Sequence, residues 1–361
     1  MRWTEFMEPT PAERKRLSGT VEAAERGELP DPGWEEVRIR RERRVWRLPG
    51  EPVLYLKLQL YLSFKVRFRY ALRSSPTLTE ARHCLHLARA GLAGPEPLLH
   101  GHLGLGPWRR RTLLVTRALA GEPAAAALAG GRLALAELAD LVARLRQAGV
   151  HHRDLHLDNI LAHSAGLRLL DLQSVRFLRP PLGAGEVLAM AVKLGDSLLR
   201  RGAVKEPRPW LQALARQLPR PPDAAAFHRL LARQQRRELR RRLSRCLAES
   251  SGFTRERSDA GRVHRRREVP AAEVGAAAAA AWTAGEGLVP AGGEHWCLVG
   301  PAGAVRRAWL GLRRLELAGE CARPPLALVL RGAPWRRRGC LVLPAGLGRK
   351  EAAALLERAG K

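Results

Sequence analysis

His151-His152-Arg153-Asp154-Leu155-His156-Leu157-Asp158-Asn159-Ile160-Leu161, followed by Leu169-Leu170-Asp171-Leu172-Gln173, is the stretch on which the fold turns. Ile160-Leu161-Ala162, the turn Ser164-Ala165-Gly166 and the apolar run 167–170 read as a hairpin that sets Asp171 at a strand end. Upstream, 133–147 has helical spacing, with Leu133, Leu138, Leu141, Val142 and Leu145 on one side and Gly149 as the stop. Further upstream, 113–116 reads as a buried strand. A helix over 78–90 opens at Ser75-Pro76-Thr77 and closes at Gly91. Three short strands precede it: 37–40, 44–48 and 53–58, the last two separated by Pro49-Gly50-Glu51-Pro52. The first thirty residues, with Pro9, Pro11, Gly19, Gly27 and Pro30, read as a loose lead-in. After Gly183 the pattern is helical to about Ser250, broken at Pro219–222. The expected class is α+β: a small antiparallel sheet carrying one helix, then a mostly helical lobe, with a cleft between them.

The spacing H-R-D-L-x-x-x-N, with an aspartate ending the next strand, resembles the catalytic loop and metal-binding aspartate of protein-kinase-like phosphotransferases. On that resemblance Asp154 accepts the proton of an incoming hydroxyl, and Asn159 and Asp171 hold Mg2+ against the phosphates of ATP, with Mn2+ as the alternative ion. Asn159 is the only asparagine in the chain. Lys57, one of seven lysines, is centred in the third strand, where such a fold needs a lysine for the α/β-phosphates. Glu80 stands early in the following helix, placed to pair with it. His152 and Arg153 are assigned to the structure of the loop. His152 and His156, four apart, lack the glutamate of an H-E-x-x-H metal site.

More specifically, the chain resembles the lipopolysaccharide kinase (Kdo/WaaP) family over 34–252. The matching segments are Arg44-Val45-Trp46-Arg47 with Tyr55-Leu56-Lys57, Thr79-Glu80-Ala81-Arg82 running to Pro95-Glu96-Pro97-Leu98, Leu113-Leu114-Val115-Thr116-Arg117, the H-R-D loop and Leu170-Asp171-Leu172-Gln173. The resemblance implies a bilobal protein-kinase-like fold. It also implies transfer of the ATP γ-phosphoryl to a sugar hydroxyl, Kdo or heptose, of the lipopolysaccharide core, at the inner face of the cytoplasmic membrane. Three features depart from protein kinases. No G-x-G-x-x-G precedes Lys57, Leu172-Gln173 replaces Phe-Gly after Asp171, and no A-P-E follows. The short span before the next helix leaves little platform for a peptide and favours a small or glycolipid acceptor. A Ser/Thr protein kinase and a catalytically weak pseudokinase scaffold remain the alternatives.

Composition fits this picture. The 361 residues are 46% hydrophobic and 27% charged, a globular balance. The 63 Lys+Arg against 35 Asp+Glu leave a net charge of +28, which suits polyanionic partners and also follows from a GC-rich coding bias toward arginine. The basic stretch Arg236 to Arg245, R-R-E-L-R-R-R-L-S-R, continues a helix and offers a surface for anionic lipid headgroups or core phosphates. Nucleic acid is not an expected partner, since no recognised module appears and aromatic residues are 5%. No secretion signal is expected at 1–16, which lacks an apolar core, and no uncharged apolar run is long enough to span a bilayer. Five scattered cysteines without C-x-x-C spacing suggest reduced thiols and a cytoplasmic protein.

The last third echoes the first lobe. At one constant offset, Ala81 through Gly91, Pro97-Leu98 and Leu113-Leu114-Val115 fall on Trp309 through Gly319, Pro325-Leu326 and Leu341-Val342-Leu343. Glu80 falls on Ala308, and Trp296-Cys297-Leu298-Val299-Gly300 has no lysine. The expected organisation is a lead-in at 1–30, a kinase N-lobe at 31–118, a C-lobe at 119–250 and a degenerate second N-lobe-like segment at 251–361.

Overall fold

The computed structural model describes residues 2–26, 33–39, 42–71, 74–103, 111–250, 252–259, 261–291, 295–332 and 337–360; Gly27, Pro30 and Arg40 of the expected elements lie outside these. The chain divides into two compact units, Met1–Gln234 and Gln235–Lys361.

In place of a loose lead-in the first unit opens with ordered structure. Arg2–Glu5 (β1) places Trp3 opposite Gly101, where a Cβ would collide with the indole. Pro11–Arg26 (α1) follows, and a capping box starts it. The Glu13 amide donates to Thr10 Oγ1 at 3.2 Å, and the Thr10 amide donates to Glu13 Oε2 at 2.8 Å. Prolines that suggest a loop are here part of a helix start. Glu35–Ile39 (β2), Arg43–Leu48 (β3) and Leu54–Leu60 (β4) are the three expected strands. Phe64–Ala71 (α2) is an extra short helix. In Pro76–Arg89 (α3) the Leu78 amide donates to the capping Ser75 hydroxyl at 3.1 Å. Glu96–Leu103 (β5) and Arg111–Arg117 (β6) complete an antiparallel sheet in the order β1-β5-β6-β4-β3-β2. Leu54, Leu56 and Leu58 of β4, Trp46, Leu113 and Val115 pack on one face with Leu17 of α1.

Glu122–Pro123 (β7) and Ala124–Ala129 (α4) lead into the helical half. Leu135–Gln147 (α5) has the expected buried stripe of Leu138, Leu141, Val142 and Leu145. Gly149 turns the chain with φ +68°, pressed so close to the Leu178 carbonyl that a side chain has no room. Val150–His152 (β8), Ile160–His163 (β9), Gly166–Leu169 (β10) and Val175–Phe177 (β11) follow. β9 and β10 are the expected hairpin, while β8 pairs with β11, His152 opposite Val175. Ala184–Arg200 (α6), Arg208–Gln217 (α7) and Ala224–Arg245 (α8) supply the expected helices. Ser197 of α6 accepts from the Leu157 amide at 3.1 Å and so anchors the loop after β8.

The second unit holds Phe253–Ser258 (β12), Gly261–Arg266 (β13), Ala271–Ala284 (α9), Gly287–Ala291 (β14), His295–Pro301 (β15), Ala302–Leu317 (α10), Ala327–Arg331 (β16), Arg338–Val342 (β17) and Arg349–Gly360 (α11). Its sheet order is β12-β13-β16-β17-β15-β14. The path β13-α9-β14-β15-α10-β16-β17 runs through this sheet as β1-α1-β3-β4-α3-β5-β6 runs through the first. The registers correspond as well: Arg2 faces His102 and Arg262 faces Leu330, while Lys57 faces Leu114 and Cys297 faces Val342. Trp309 and Leu312 of α10 are fully buried with Leu341 and Leu343, whereas Val342 belongs to the cluster on the α9 face and Leu315 is only partly covered. This unit starts before residue 251 because Cys246 is buried with it and accepts from the Trp309 indole at 3.1 Å. All five cysteines are buried free thiols. Among the described residues no helix is long and apolar enough to cross a membrane.

α1 is fastened to the end of β6 by charge. Arg117 Nε and Nη2 donate to the two oxygens of buried Glu13 at 2.6 and 2.8 Å, and Nη1 donates to Glu96 at 2.8 Å. The Arg117 hydrogen bonds hold the Glu13 carboxyl down to about 2, against the opposing effect of burial. A pKa depressed in the folded state contributes stability that is complete above the ordinary glutamate value and is lost as pH falls toward 2. Glu13→Ala should therefore cost about 3 kcal/mol at neutral pH. The deficit should shrink as pH drops from about 4.5 toward 2 in denaturant titrations. A pH-independent deficit would remove the ion pair as its source.

Candidate active site

Lys57 lies mid-strand in β4, between Val45 of β3 and Leu114 of β6. Its neighbours Leu56 and Leu58 point into the core under α1, so the pleat turns Lys57 toward α3. There its Nζ pairs with the carboxylate of Glu80, a completely buried residue. The second Glu80 oxygen accepts from Gln173 Nε2 at 2.7 Å and has Arg43 Nη2 at 3.9 Å. Burial opposes ionisation of Glu80. The charges of Lys57 and Arg43 and the hydrogen bonds from Lys57 and Gln173 outweigh it and lower the pKa.

Arg43 also reaches Asp171, Nη1 to Oδ1, at 3.8 Å. Asp171 has φ +51° and ψ +59°, and is the one non-glycine residue with positive φ among those described. A β-carbon in this left-handed region is strained, and such strain is held where the surroundings over-determine it. The residue before it is pinned twice. The Leu170 amide donates to the Asn159 carbonyl at 2.8 Å, and His152 Nε2 donates to the Leu170 carbonyl at 3.1 Å. His152 is fully buried, and its Nδ1 accepts from the Asp154 amide at 3.3 Å. Burial pushes the imidazole pKa down, in keeping with a neutral ring that donates through Nε2 and accepts through Nδ1.

Asn159 is buried, and its amide nitrogen donates to the Asp154 carbonyl at 3.0 Å and lies 3.1 Å from His156 Nε2. The amide nitrogen is thus turned inward, and Oδ1 is the atom left for a cation. Asp154 itself is half exposed, with His156 Nε2 at 3.6 Å from Oδ2 and Lys193 Nζ of α6 at 3.7 Å from Oδ1. The His156 imidazole and then Lys193 hold its carboxyl down to about 2, so it is ionised across the physiological range. Arg153 is exposed and forms no hydrogen bond or ion pair with the described residues, so the structural role expected of it in the loop is carried by His152 alone.

Lys57, Asn159 and Asp171 line one cleft of about 440 Å³, together with Arg43, the apolar side chains of Val45, Tyr55, Leu161 and Leu170, and the chain from Thr116 to Pro123. Glu80 stays behind Lys57, outside the cleft lining, and Asp154 lies one hydrogen bond beyond Asn159. The cleft has an apolar wall suited to a planar base and a charged end suited to phosphates. Asn159 Oδ1 and the Asp171 carboxylate are hard oxygen donors, which fits a small divalent cation that takes its remaining ligands from phosphate and water. Among the described residues no group of three or more His, Cys, Asp or Glu could hold a metal unaided.

Sequence reasoning placed Lys57, Glu80, Asp154, Asn159 and Asp171, but Arg43, Gln173 and Lys193 join the site only through the fold. Gln173 was visible next to Asp171 without a role. Arg43 and Lys193 carry no local signature, one being an arginine among many and the other a helix lysine far downstream.

Removing one partner of a buried ion pair leaves an uncompensated charge, whereas removing both leaves a packing problem. Lys57→Met and Glu80→Leu should each destabilise the protein by about 3 kcal/mol. The double variant should recover most of that loss in denaturant titrations. Losses that simply add would show that the pair does not interact.

The family described as "Lipopolysaccharide kinase (Kdo/WaaP) family" matches residues 51–177. No curated protein matches the chain significantly. Among solved structures, "WaaP in complex with acyl carrier protein" is 19% identical with a TM-score of 0.48, over 66% of this chain and 99% of that one. The bifunctional kinase-methyltransferase WbdD is 19% identical with a TM-score of 0.34, over 65% of this chain and 51% of that one. Amicoumacin kinase hAmiN in complex with AMP-PNP, Ca2+ and Ami is 12% identical with a TM-score of 0.36, over 58% and 79%. The family match spans Lys57, Glu80, the H-R-D loop, Asn159 and Asp171, so over residues 51–177 the chain is similar to the lipopolysaccharide kinase (Kdo/WaaP) family.

Proposed function

We propose that this protein is an ATP- and Mg2+-dependent kinase that phosphorylates a sugar hydroxyl, of Kdo or heptose, in the lipopolysaccharide core. The observation that carries the reading is the convergence of Lys57, Asn159 and Asp171 on one cleft, with Glu80 buried behind the lysine and an ionised Asp154 next to the asparagine. Lys57 and Arg43 bind the phosphates, Asn159 and Asp171 provide the cation's protein ligands, and the cation neutralises phosphate charge when bound. Asp154 orients the acceptor hydroxyl and takes its proton. Its low pKa suits a group that positions the nucleophile and accepts the proton late, as the new bond forms. Lys193 stands on the far side of Asp154, where it keeps that carboxylate charged and can meet the transferred phosphoryl.

A glycolipid acceptor implies work at a membrane surface. On α2, Phe64 and Phe68 are exposed and stack on one another with centroids 6.4 Å apart, and Leu62 just before the helix is exposed too. The same helix has the sequence F-K-V-R-F-R-Y-A, three cations and no acid, which suits an anionic interface. The arginine run of α8 supports this less, because Glu238 pairs with Arg241 and Arg242. For the second unit we propose a degenerate N-lobe without a nucleotide site of its own, since Cys297 and Ala308 stand where Lys57 and Glu80 stand in the first.

The test is incubation with Mg-ATP and a panel of deacylated core oligosaccharides alongside generic protein substrates, read by mass spectrometry. Phosphate on a sugar is expected; phosphoprotein alone would make it a protein kinase, and no transfer to either would leave a scaffold. Asp154→Asn should lower turnover by about 10²–10⁴-fold with nucleotide affinity within a fewfold of wild type. Asn159→Ala should raise the Mg2+ concentration needed for nucleotide binding. Undiminished turnover in the Asp154 variant would overturn the assignment of the base.

A further inference from the structure

The second unit carries an arginine cluster that the kinase reading does not use. A cleft of about 250 Å³ opens at one end of its sheet, where the β12–β13 hairpin closes, β16 ends and the chain enters β17. Its walls are Arg257, Ser258, Arg262, Arg331 and Arg337, with Gly261 and Gly332. Arg257 lies directly opposite Arg262 in the ladder, and Arg255 opposite His264, so Arg255, Arg257 and Arg262 share one face. Like charges placed opposite one another across an antiparallel pair are destabilising.

Several other arginines of the unit do have a glutamate partner. Arg265 pairs with Glu256 at 2.7 Å, Arg338 with Glu286 at 2.8 Å and Arg358 with Glu320 at 3.5 Å, and Arg266 and Arg267 pair with Glu316 and Glu249. Among the described residues no carboxylate pairs with Arg255, Arg257, Arg262, Arg331 or Arg337, and Asp259 in the hairpin turn reaches none of them. The local potential is strong enough to lower the pKa of Arg262, first through Arg255. His264 is pushed down to about 4 by burial and then by Arg255 and Arg262. β12, the strand that brings Arg255 and Arg257, is the one strand of this sheet outside the path shared with the first unit.

We infer that this cleft is a binding site for a phosphate-class dianion, a phosphomonoester or pyrophosphate group. Guanidinium forks match phosphate oxygens two at a time, and several can share one tetrahedral group. The volume admits one or two phosphates and falls short of the roughly 300 Å³ at which pockets for whole small-molecule ligands begin. The group can arrive on a soluble molecule or as a lipid headgroup, and the chemistry is the same for both.

The experiment uses the full chain in low-salt, phosphate-free buffer, with inorganic pyrophosphate as the titrant in calorimetry. Wild type, Arg257→Gln/Arg262→Gln and Lys57→Ala are compared. The double variant should bind pyrophosphate at least tenfold more weakly, and Lys57→Ala should match wild type within about twofold at this site. Without ligand the double variant should melt no lower than wild type, because two opposed charges are gone; should it fail to fold, Arg331→Gln takes its place. In a second arm, phosphatidylcholine vesicles with and without phosphatidic acid are sedimented with wild type and variant. A wild-type excess on the acidic vesicles identifies a lipid headgroup, and pyrophosphate binding without that excess identifies a soluble phosphate. Equal pyrophosphate affinity in wild type and the double variant, or binding abolished by Lys57→Ala alone, would overturn the site.

Discussion

A buried carboxylate organises the kinase-like unit. Glu80 has no access to water, so its charge must be met entirely by protein groups, and three of them come from three different elements. Lys57 comes from β4, Arg43 from the start of β3, and Gln173 from the turn after Asp171. Satisfying that one side chain fixes the sheet, α3 and the segment after β10 relative to one another. It also sets the lysine at the cleft, and through Arg43 it draws in Asp171. Such an arrangement contributes little net stability, because desolvating the ions offsets most of their attraction. What it supplies is position.

Much of this was legible in the sequence where chemistry imposes a fixed spacing. Asp154 and Asn159 are five apart on one loop, Asp171 closes a hairpin, and a lone asparagine in an arginine- and alanine-rich chain stands out against its background. The beginning of the chain was misread because Pro9 and Pro11 suggested a loop, while the informative signal was the Thr10…Glu13 capping box around Pro11. β5 was missed because Pro97 and Gly101 interrupt its pattern, and Gly101 is there to accommodate Trp3 from a strand almost one hundred residues earlier. Arg43 and Lys193 could not be found at all from sequence, since their roles depend on which elements the fold brings together.

The strain at Asp171 belongs to the same logic. Its backbone occupies a region that glycine would enter freely, yet the position carries a carboxylate. His152, held neutral by burial, and Asn159 both bond the adjacent Leu170, and together they leave the aspartate no relaxed alternative. A residue needed only for structure would be replaced there by glycine at no steric cost. The combination of strain, a charged side chain and a cleft marks the position as one where chemistry outweighs backbone comfort.

The second unit follows a similar path through its sheet without the Lys57–Glu80 ion pair. At the counterparts of Lys57 and Glu80 stand Cys297, a buried thiol, and Ala308, a partly covered methyl, neither of which needs a charged partner. Exchanging a buried ion pair for apolar groups of suitable volume is neutral or stabilising, so nothing in folding alone would keep the pair. In the first unit the pair stands beside Asp154, Asn159 and Asp171, which fits a use of that cleft beyond folding. The same test applies to charge. In the second unit Arg265 and Arg338 are each neutralised by a glutamate, and folding alone gives no reason to leave Arg257 facing Arg262. In both units the informative residues are those that stability by itself would have removed.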